Sequence, residues 1–333
     1  MNAAIAQPAR GRRKVTQSLV LVGLIVVLCV VTTIVNPRFL NPNNIINIFQ
    51  QIAVLGIVAS GIGMLLVSGE IDISAGNQVS LMGVILAMII QKVGGIPMGA
   101  PGAWLAPLAI PLAVVSVFIV GAILGTINGI TVIKSRAASF IVTLGFSSVY
   151  RGAALLITGG ASYMLFGKFE TLGRGRIFDV FPISILFFLG AILLAFVVLK
   201  YTKYGRFLYA VGGNKKAAFV SGINTTRITL TGYIVVGVLN ALAAIILISL
   251  VGSALANTGD SYSLDALAAV IVGGVALSGG KGNALNIFLG VVLIGLIGNA
   301  LVIMRVNPFL RDVVIGLITI AAVTIGQLTS ERE

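Results

Sequence analysis

Without a histidine and with a single cysteine, this chain of 333 residues has no means of building a zinc site, a Cys-His nucleophile or an internal disulfide. Cys29 lies inside an apolar run, where a lone thiol serves as a small packing residue. The side chains that could do chemistry fall in three polar stretches separated by apolar sequence. The first, Ser68-Gly69-Glu70-Ile71-Asp72-Ile73-Ser74-Ala75-Gly76-Asn77, holds two of the nine acids. Asp72 or Ser74 suits the start of a following helix, capping its free amides and complementing its dipole. A gate or part of a translocation path is the other reading.

The second stretch, residues 200–227, is the longest hydrophilic break in the chain. It carries Lys200, Lys203, Arg206, Lys215, Lys216 and Arg227 and no acid. Within it, Lys215 to Ser221 reads as a short amphipathic helix between glycines, with Gly212 and Gly213 before it and Gly222 after. Such a helix can dock into a partner's groove; a plain basic loop that sets membrane orientation fits as well.

The third, Ser261-Tyr262-Ser263-Leu264-Asp265, opens a short apolar run that ends at Gly273-Gly274 and continues to Ser278-Gly279-Gly280-Lys281-Gly282. Ser263 as N-cap and Asp265 in the first turn predict a helix start, and the shortness of the run predicts a broken or half-depth helix. Backbone exposed at such a break can line a water-filled path. The glycine-rich tail has the wrong spacing for a phosphate loop and no strand before it.

The elements that must position these stretches follow from composition. The chain is 58% hydrophobic and 9% charged, far from the roughly 25% charge of a soluble domain. That predicts an all-α, polytopic membrane protein forming one transmembrane domain over residues 1–333. Ten spans are expected, at residues 18–35, 52–67, 74–91, 107–126, 140–157, 182–199, 228–250, 264–277, 284–303 and 313–328, the second and eighth being short. The basic start, residues 1–17, precedes a first run too long for a signal peptide and without a cleavage site, and so reads as a tail ahead of an uncleaved span. With that tail cytoplasmic, fourteen cationic residues fall on its side and seven on the other. This predicts that both termini are cytoplasmic. The net charge of +13 is spread between apolar runs instead of gathered on one face, which argues against a nucleic-acid partner. Arg151 lies at or within the fifth span, either reaching for the interface beside Tyr150 or facing the path.

A weak internal repeat aligns residues 123–133 with 293–303. Five spans separate the copies, so they would cross in opposite senses, the plan of an inverted five-plus-five repeat. Asn128 and Asn299 lie one place apart in that alignment.

Several motifs together resemble the ribose/xylose-type permease family, membrane subunits of bacterial ATP-binding-cassette sugar importers. They are Gly69-Glu70-Ile71-Asp72-Ile73-Ser74-Ala75-Gly76, Ser139-Phe140-Ile141-Val142-Thr143-Leu144-Gly145, Arg151-Gly152, Gly205-Arg206-Phe207-Leu208-Tyr209-Ala210-Val211-Gly212-Gly213-Asn214, and the stretch 264–282. They occur in order along nearly the whole chain. Two departures are Glu70, where related permeases often carry glycine, and Ala137-Ala138, where proline is frequent.

The resemblance implies a multi-pass subunit of the bacterial inner membrane that pairs with a second permease subunit, as a homodimer. Its partners would be cytoplasmic ATP-binding subunits, which hold the ATP and Mg, and a periplasmic sugar-binding protein. This chain itself would bind no cofactor or metal and carry no catalytic residue. Gly205, Arg206, Asn214, Ala217, Ala218, Gly222 and Ile223 would couple to the ATPase. For a neutral monosaccharide, path residues are expected among Asn77, Gln78, Asn128, Thr143, Asn240 and Asn299, because amides and hydroxyls cost less than charges in a bilayer; Asp72, Ser74 and Asp265, from the first and third polar stretches, are further gate or path candidates. The alternatives are a permease for branched-chain amino acids, one for a sugar-derived autoinducer, and a stand-alone secondary transporter. The last would need acids or histidines inside the spans.

Overall fold

The computed structural model describes residues 10–95, 106–165, 167–178, 181–307 and most of 310–324. Among these are eight helices long and apolar enough to cross a membrane. They are α1 (Arg10–Val35), α2 (Pro42–Val67), α3 (Ala75–Gly94), α4 (Ala106–Ser135), α5 (Ser139–Thr158), α7 (Ile183–Tyr201), α10 (Thr225–Val251) and α12 (Ala284–Ile303). A shorter apolar helix, α11 (Tyr262–Val272), has 11 residues. It rises ~16 Å, about half of a hydrocarbon core. Three further helices, α6 (Thr171–Arg174), α8 (Lys203–Gly213) and α9 (Lys215–Val220), lie in connections. The span expected at 313–328 falls in part outside the described residues.

Most expected spans coincide with helices, and 284–303 does so at both ends. The second expectation is corrected. Instead of starting at residue 52, α2 starts at Pro42, with Asn41 accepting a hydrogen bond from the Asn43 amide as its cap. Its first turns carry Asn43, Asn44, Asn47, Gln50 and Gln51, which a hydropathy reading takes for loop. Residues 10–17, read as a tail, continue α1. The hydrophilic break at 200–227 is mostly α8 and α9, followed directly by α10.

The center is α2, 94% of whose apolar window is buried, whereas the windows of α1 and α5 are 11% and 17% buried and present bare apolar faces. Beside α2 lies α10. Helices α3 and α4 pack on α10, helices α11 and α12 pack on α2, and α3 pairs with α4 as α11 does with α12. These are the same neighbours displaced by five spans. The arrangement repeats down to the breaks, since α3 and α11 each follow an irregular segment.

Two pairs of two-residue strands tie connections together. Antiparallel β1 (Tyr163–Met164) and β4 (Ser253–Ala254) join the segments that follow α5 and α10, and β2 (Arg176–Ile177) pairs with β3 (Phe181–Pro182) before α7.

Candidate functional site

Between α2 and α3 the chain leaves helical geometry. Ser68 ends α2, its hydroxyl donating to the Leu65 carbonyl at 2.6 Å. Gly69 turns the chain at φ +80°, a backbone conformation that costs glycine nothing. From Glu70 onward each residue goes to a different neighbour. In a bilayer every freed backbone group must find such a partner.

Asp72 is 2% exposed and sits among neutral donors. Its Oδ1 accepts from the Ser74 amide at 2.8 Å, and the Ser74 hydroxyl donates to the same oxygen. Its Oδ2 accepts from Gln78 Nε2 at 3.2 Å and Asn128 Nδ2 at 3.4 Å. Ser74 Oγ accepts from the same two amides, at 2.9 and 2.8 Å. Tyr150 of α5 donates to Asn128 Oδ1 at 2.6 Å, and Asn240 of α10 donates to Gln78 Oε1 at 3.1 Å. Gln78, Asn128 and Asn240 are fully buried. Among the described residues no cation pairs with Asp72. The cluster holds neither a nucleophile nor a group of metal-ligating side chains. Its chemistry is that of a polar knot joining the irregular segment to α3, α4, α5 and α10.

Around the knot the backbone is held too. Thr143 Oγ1 accepts from the Ile73 amide at 3.1 Å, and Ser139 Oγ accepts from the Ile71 amide at 3.0 Å. Tyr233 of α10 donates to the Ile71 carbonyl at 3.2 Å, and Asn77 donates to Ser147 of α5 at 2.6 Å. Seven expected path residues, Asp72, Ser74, Asn77, Gln78, Asn128, Thr143 and Asn240, therefore meet in one place. All seven are buried, and Asp72, Ser74, Gln78, Asn128 and Asn240 bond one another, while Asn77 reaches Ser147 and Thr143 holds backbone.

The other two expected path residues stand apart. Asn299 exchanges two amide hydrogen bonds with Asn44, at 3.0 and 2.9 Å, near the start of α2. That is the end of α2 remote from Asp72, so the alignment with Asn128 does not bring the two into one site. Asp265 lies in the first turn of α11 and is buried. The capping expectations also change. Ser74 occupies the N-cap position of α3 but its side chain makes no cap bond there, and α11 starts after Ser261, not Ser263. Ser263 Oγ instead accepts from the Gly76 amide in the first turn of α3 at 2.6 Å, while Ser80 Oγ accepts from the Gly259 amide at 2.8 Å. Ser263 of α11 thus caps the start of α3, and Ser80 of α3 holds the turn that leads into α11. Nearby, Arg151 of α5 approaches Asp260 at 3.8 Å, about 18 Å along α5 from its start. Its exposed guanidinium thus has an acidic partner in the turn that precedes α11.

Glu70 leads the same segment to the basic face, where its carboxylate accepts from Lys215 Nζ at 2.8 Å. Lys215 opens α9, and Asn214 caps that helix by accepting from the Ala217 amide at 2.9 Å. Gly222, at φ +83°, ends it, with the Ile223 amide donating back to the Ala218 carbonyl at 3.1 Å. Ala217 and Arg206 are exposed, but Ala218 is 5% exposed and packs inward. Gly205 is buried where α8 turns against α7; a Cβ there would lie 2.1 Å from the Val198 carbonyl oxygen. The apolar residues that α9 displays are Phe219, 69% exposed, and Val220, 86% exposed. Sequence reading passed over these two, although two adjacent apolar residues inside a basic, exposed turn were a visible signal.

The Ser-Gly-Gly-Lys-Gly turn also has a structural role. The Gly280 amide donates to the Val67 carbonyl at 2.8 Å. A Cβ on Gly212 would lie 2.0 Å from the Val67 carbonyl oxygen, and one on Gly279 would lie 2.7 Å from the Gly69 nitrogen. The ends of α2 and α8 and this turn thus meet backbone to backbone, directly beneath the segment that holds Glu70 and Asp72.

A family model described as Branched-chain amino acid transport system / permease component matches residues 44–323. The chain is 36% identical over 308 residues to the ribose import permease protein of Bacillus subtilis, covering 91% of each. It is 33% identical over 332 residues to the ribose import permease protein of Escherichia coli, covering 96% of this chain and 98% of that one. To the galactose/methyl galactoside import permease protein of Escherichia coli it is 34% identical over 321 residues, covering 93% and 95%. No solved structure matches.

Proposed function

The chain belongs to the branched-chain amino acid transport system / permease component family, and on that premise we propose that it forms the translocation path for a ribose-like monosaccharide as the membrane subunit of an ATP-binding-cassette importer. The likeness along almost the full length to ribose and galactose import permeases carries the sugar reading. In this reading ATP, and the Mg that accompanies it, sit on a partner ATPase.

In this reading the basic face is cytoplasmic, both termini lie there, and a second copy of the chain completes the path. The open face of α5, with Ser148 and Arg151 exposed, lines it. A periplasmic binding protein delivers the sugar to the opposite side. The cytoplasmic ATPase docks on α9, with Phe219 and Val220 entering its surface. Movement of α9 reaches the spans through Lys215 and Glu70 and through the glycine contact at Gly212 and Gly279. The knot around Asp72 transmits it as a unit, because its members from α3, α4, α5 and α10 are bonded to one another. The segment acts as a two-state element that its partners bias.

The test is reconstitution of this chain with its ATPase and binding protein in proteoliposomes, supplied with ribose, galactose and branched-chain amino acids. Uptake of a sugar that requires both ATP and the binding protein is expected. Uptake without ATP, or of amino acids alone, would overturn the reading.

A further inference from the structure

A cavity of about 550 Å³ opens where the Glu70 segment, the α4–α5 turn, the start of α9 and the start of α10 meet. Its lining includes Glu70, Arg136, Ser139, Lys215, Thr226 and Thr229. Glu70, the acid among these residues, is already engaged by Lys215 at 2.8 Å, so Arg136 leaves the cavity net positive. No acid among the described residues pairs with Arg136. The turn that presents it is held in the left-handed region at φ 56°, a conformation an arginine adopts at a cost. Two helices begin at the cavity wall, α5 and α10, and no side chain caps the start of α5. Helix starts present amide donors and partial positive charge. Thr229 is 1% exposed, and its buried hydroxyl has no hydrogen-bond partner among the described residues.

We propose that this cavity binds a phosphate-bearing group at the cytoplasmic face, held by the Arg136 guanidinium and the Thr226 and Thr229 hydroxyls. A phosphate offers several acceptor oxygens, which suit a guanidinium fork, hydroxyl donors and helix-start amides at once. The volume admits a molecule the size of a sugar phosphate or a lipid headgroup. The site lies against Lys215, the first residue of α9. An occupant bridging the α4–α5 turn to α9 would restrain the proposed coupling helix, so binding is expected to slow transport. The cytoplasmic placement rests on the orientation proposed above.

The test uses the assembled transporter in nanodiscs. One arm titrates ribose 5-phosphate, inorganic phosphate and ribose by calorimetry in phosphatidylcholine discs. A second arm measures retention of phosphatidylglycerol against phosphatidylcholine by native mass spectrometry. We expect one phosphate probe to bind while ribose does not. Binding should weaken by about tenfold or more in Arg136→Asn, which tolerates the left-handed turn, and in Thr229→Val, which keeps the shape. ATP-driven uptake by the same purified proteins reconstituted in proteoliposomes shows that each is folded, and its absence in the parent protein would count against the transport reading alone. A transporting preparation that binds neither phosphate probe, binds ribose equally well, or binds phosphate undiminished in both variants would overturn the site.

Discussion

Glu70 and Lys215 meet at 2.8 Å across 145 residues of sequence, and their contact joins the segment before α3 to the first residue of α9. The carboxylate is nearly buried, but the lysine side chain is 57% exposed. Solvent screening therefore keeps the stabilising effect small, on the order of 1 kcal/mol or less. The pair's value lies in linking two elements that must move together. Glu70→Gln should leave folding and ATPase assembly nearly unchanged while lowering the sugar imported per ATP hydrolysed by about two- to tenfold. The exchange Glu70→Lys with Lys215→Glu should restore part of that ratio. Measuring uptake and hydrolysis in the same proteoliposomes checks this, and an unchanged ratio in Glu70→Gln would remove the pair from the coupling route.

Asp72 carries a different kind of load. Its carboxylate oxygens accept from Ser74, Gln78 and Asn128, all buried. Asp72→Ala removes the acceptor of the buried Ser74 amide and hydroxyl and of one N–H each from Gln78 and Asn128. Each buried donor without a partner costs roughly 1–3 kcal/mol. The variant should unfold at lower temperature in detergent and lose transport. Asp72→Asn keeps the shape but turns an NH2 toward donors, so it should fall between the alanine variant and the parent. Thermal unfolding followed by size-exclusion chromatography orders the three.

Much of the membrane plan was legible because apolar runs are a one-dimensional signal. The run at 284–303 is helix α12 from end to end, and the glycine pair after residue 272 marks where α11 stops. Helix α2 was cut short because Asn43, Asn44 and Gln50 look like loop. Their amides become tolerable only once Asn44 finds Asn299 and Gln50 finds the Gly173 carbonyl. Polar partners so far apart leave no periodic trace. Gln78, Asn128 and Asn240 stand out by type, as amides inside apolar helices. Their bonds to Asp72, Ser74 and one another depend on how α3, α4 and α10 cross, which no local pattern records. Ser263 was assigned to its own helix because a cap is normally local, whereas here it serves α3.

Neighbouring glycines at the end of α8 give a sharp contrast. A Cβ on Gly212 would sit 2.0 Å from the Val67 carbonyl oxygen and 2.5 Å from the Gly280 nitrogen, whereas Gly213 has nothing within 4 Å. Gly212→Ala should force α2, α8 and the 278–280 turn apart, costing several kcal/mol in the manner of an overpacked core. Gly213→Ala should be neutral or slightly stabilising, by about 0.5 kcal/mol, because it only restricts the unfolded chain. Expression level and thermal unfolding of the two variants, side by side, test the crossing. Equal behaviour would mean that the backbones do not meet there.

The surface of α9 separates docking from folding. Phe219 and Val220 project into solvent, while Ala218, one residue earlier, is buried at the base of the same helix. An acid at each position should therefore act through a different cause. Phe219→Asp and Val220→Asp place charge on an exposed apolar surface, where it costs the isolated subunit almost nothing. In the assembled transporter the same charge would have to be desolvated against the ATPase, a penalty of several kcal/mol. These variants should insert, fold and unfold at the parent's temperature, yet fail to co-purify with the ATPase. Ala218→Asp should lower folded yield before any partner is added, because a carboxylate would enter the buried side of α9. Comparing monodisperse yield with ATPase recovery for the three variants distinguishes the causes. Full ATPase recovery with Phe219→Asp and Val220→Asp would place the docking surface elsewhere on the basic face and leave α9 a structural turn.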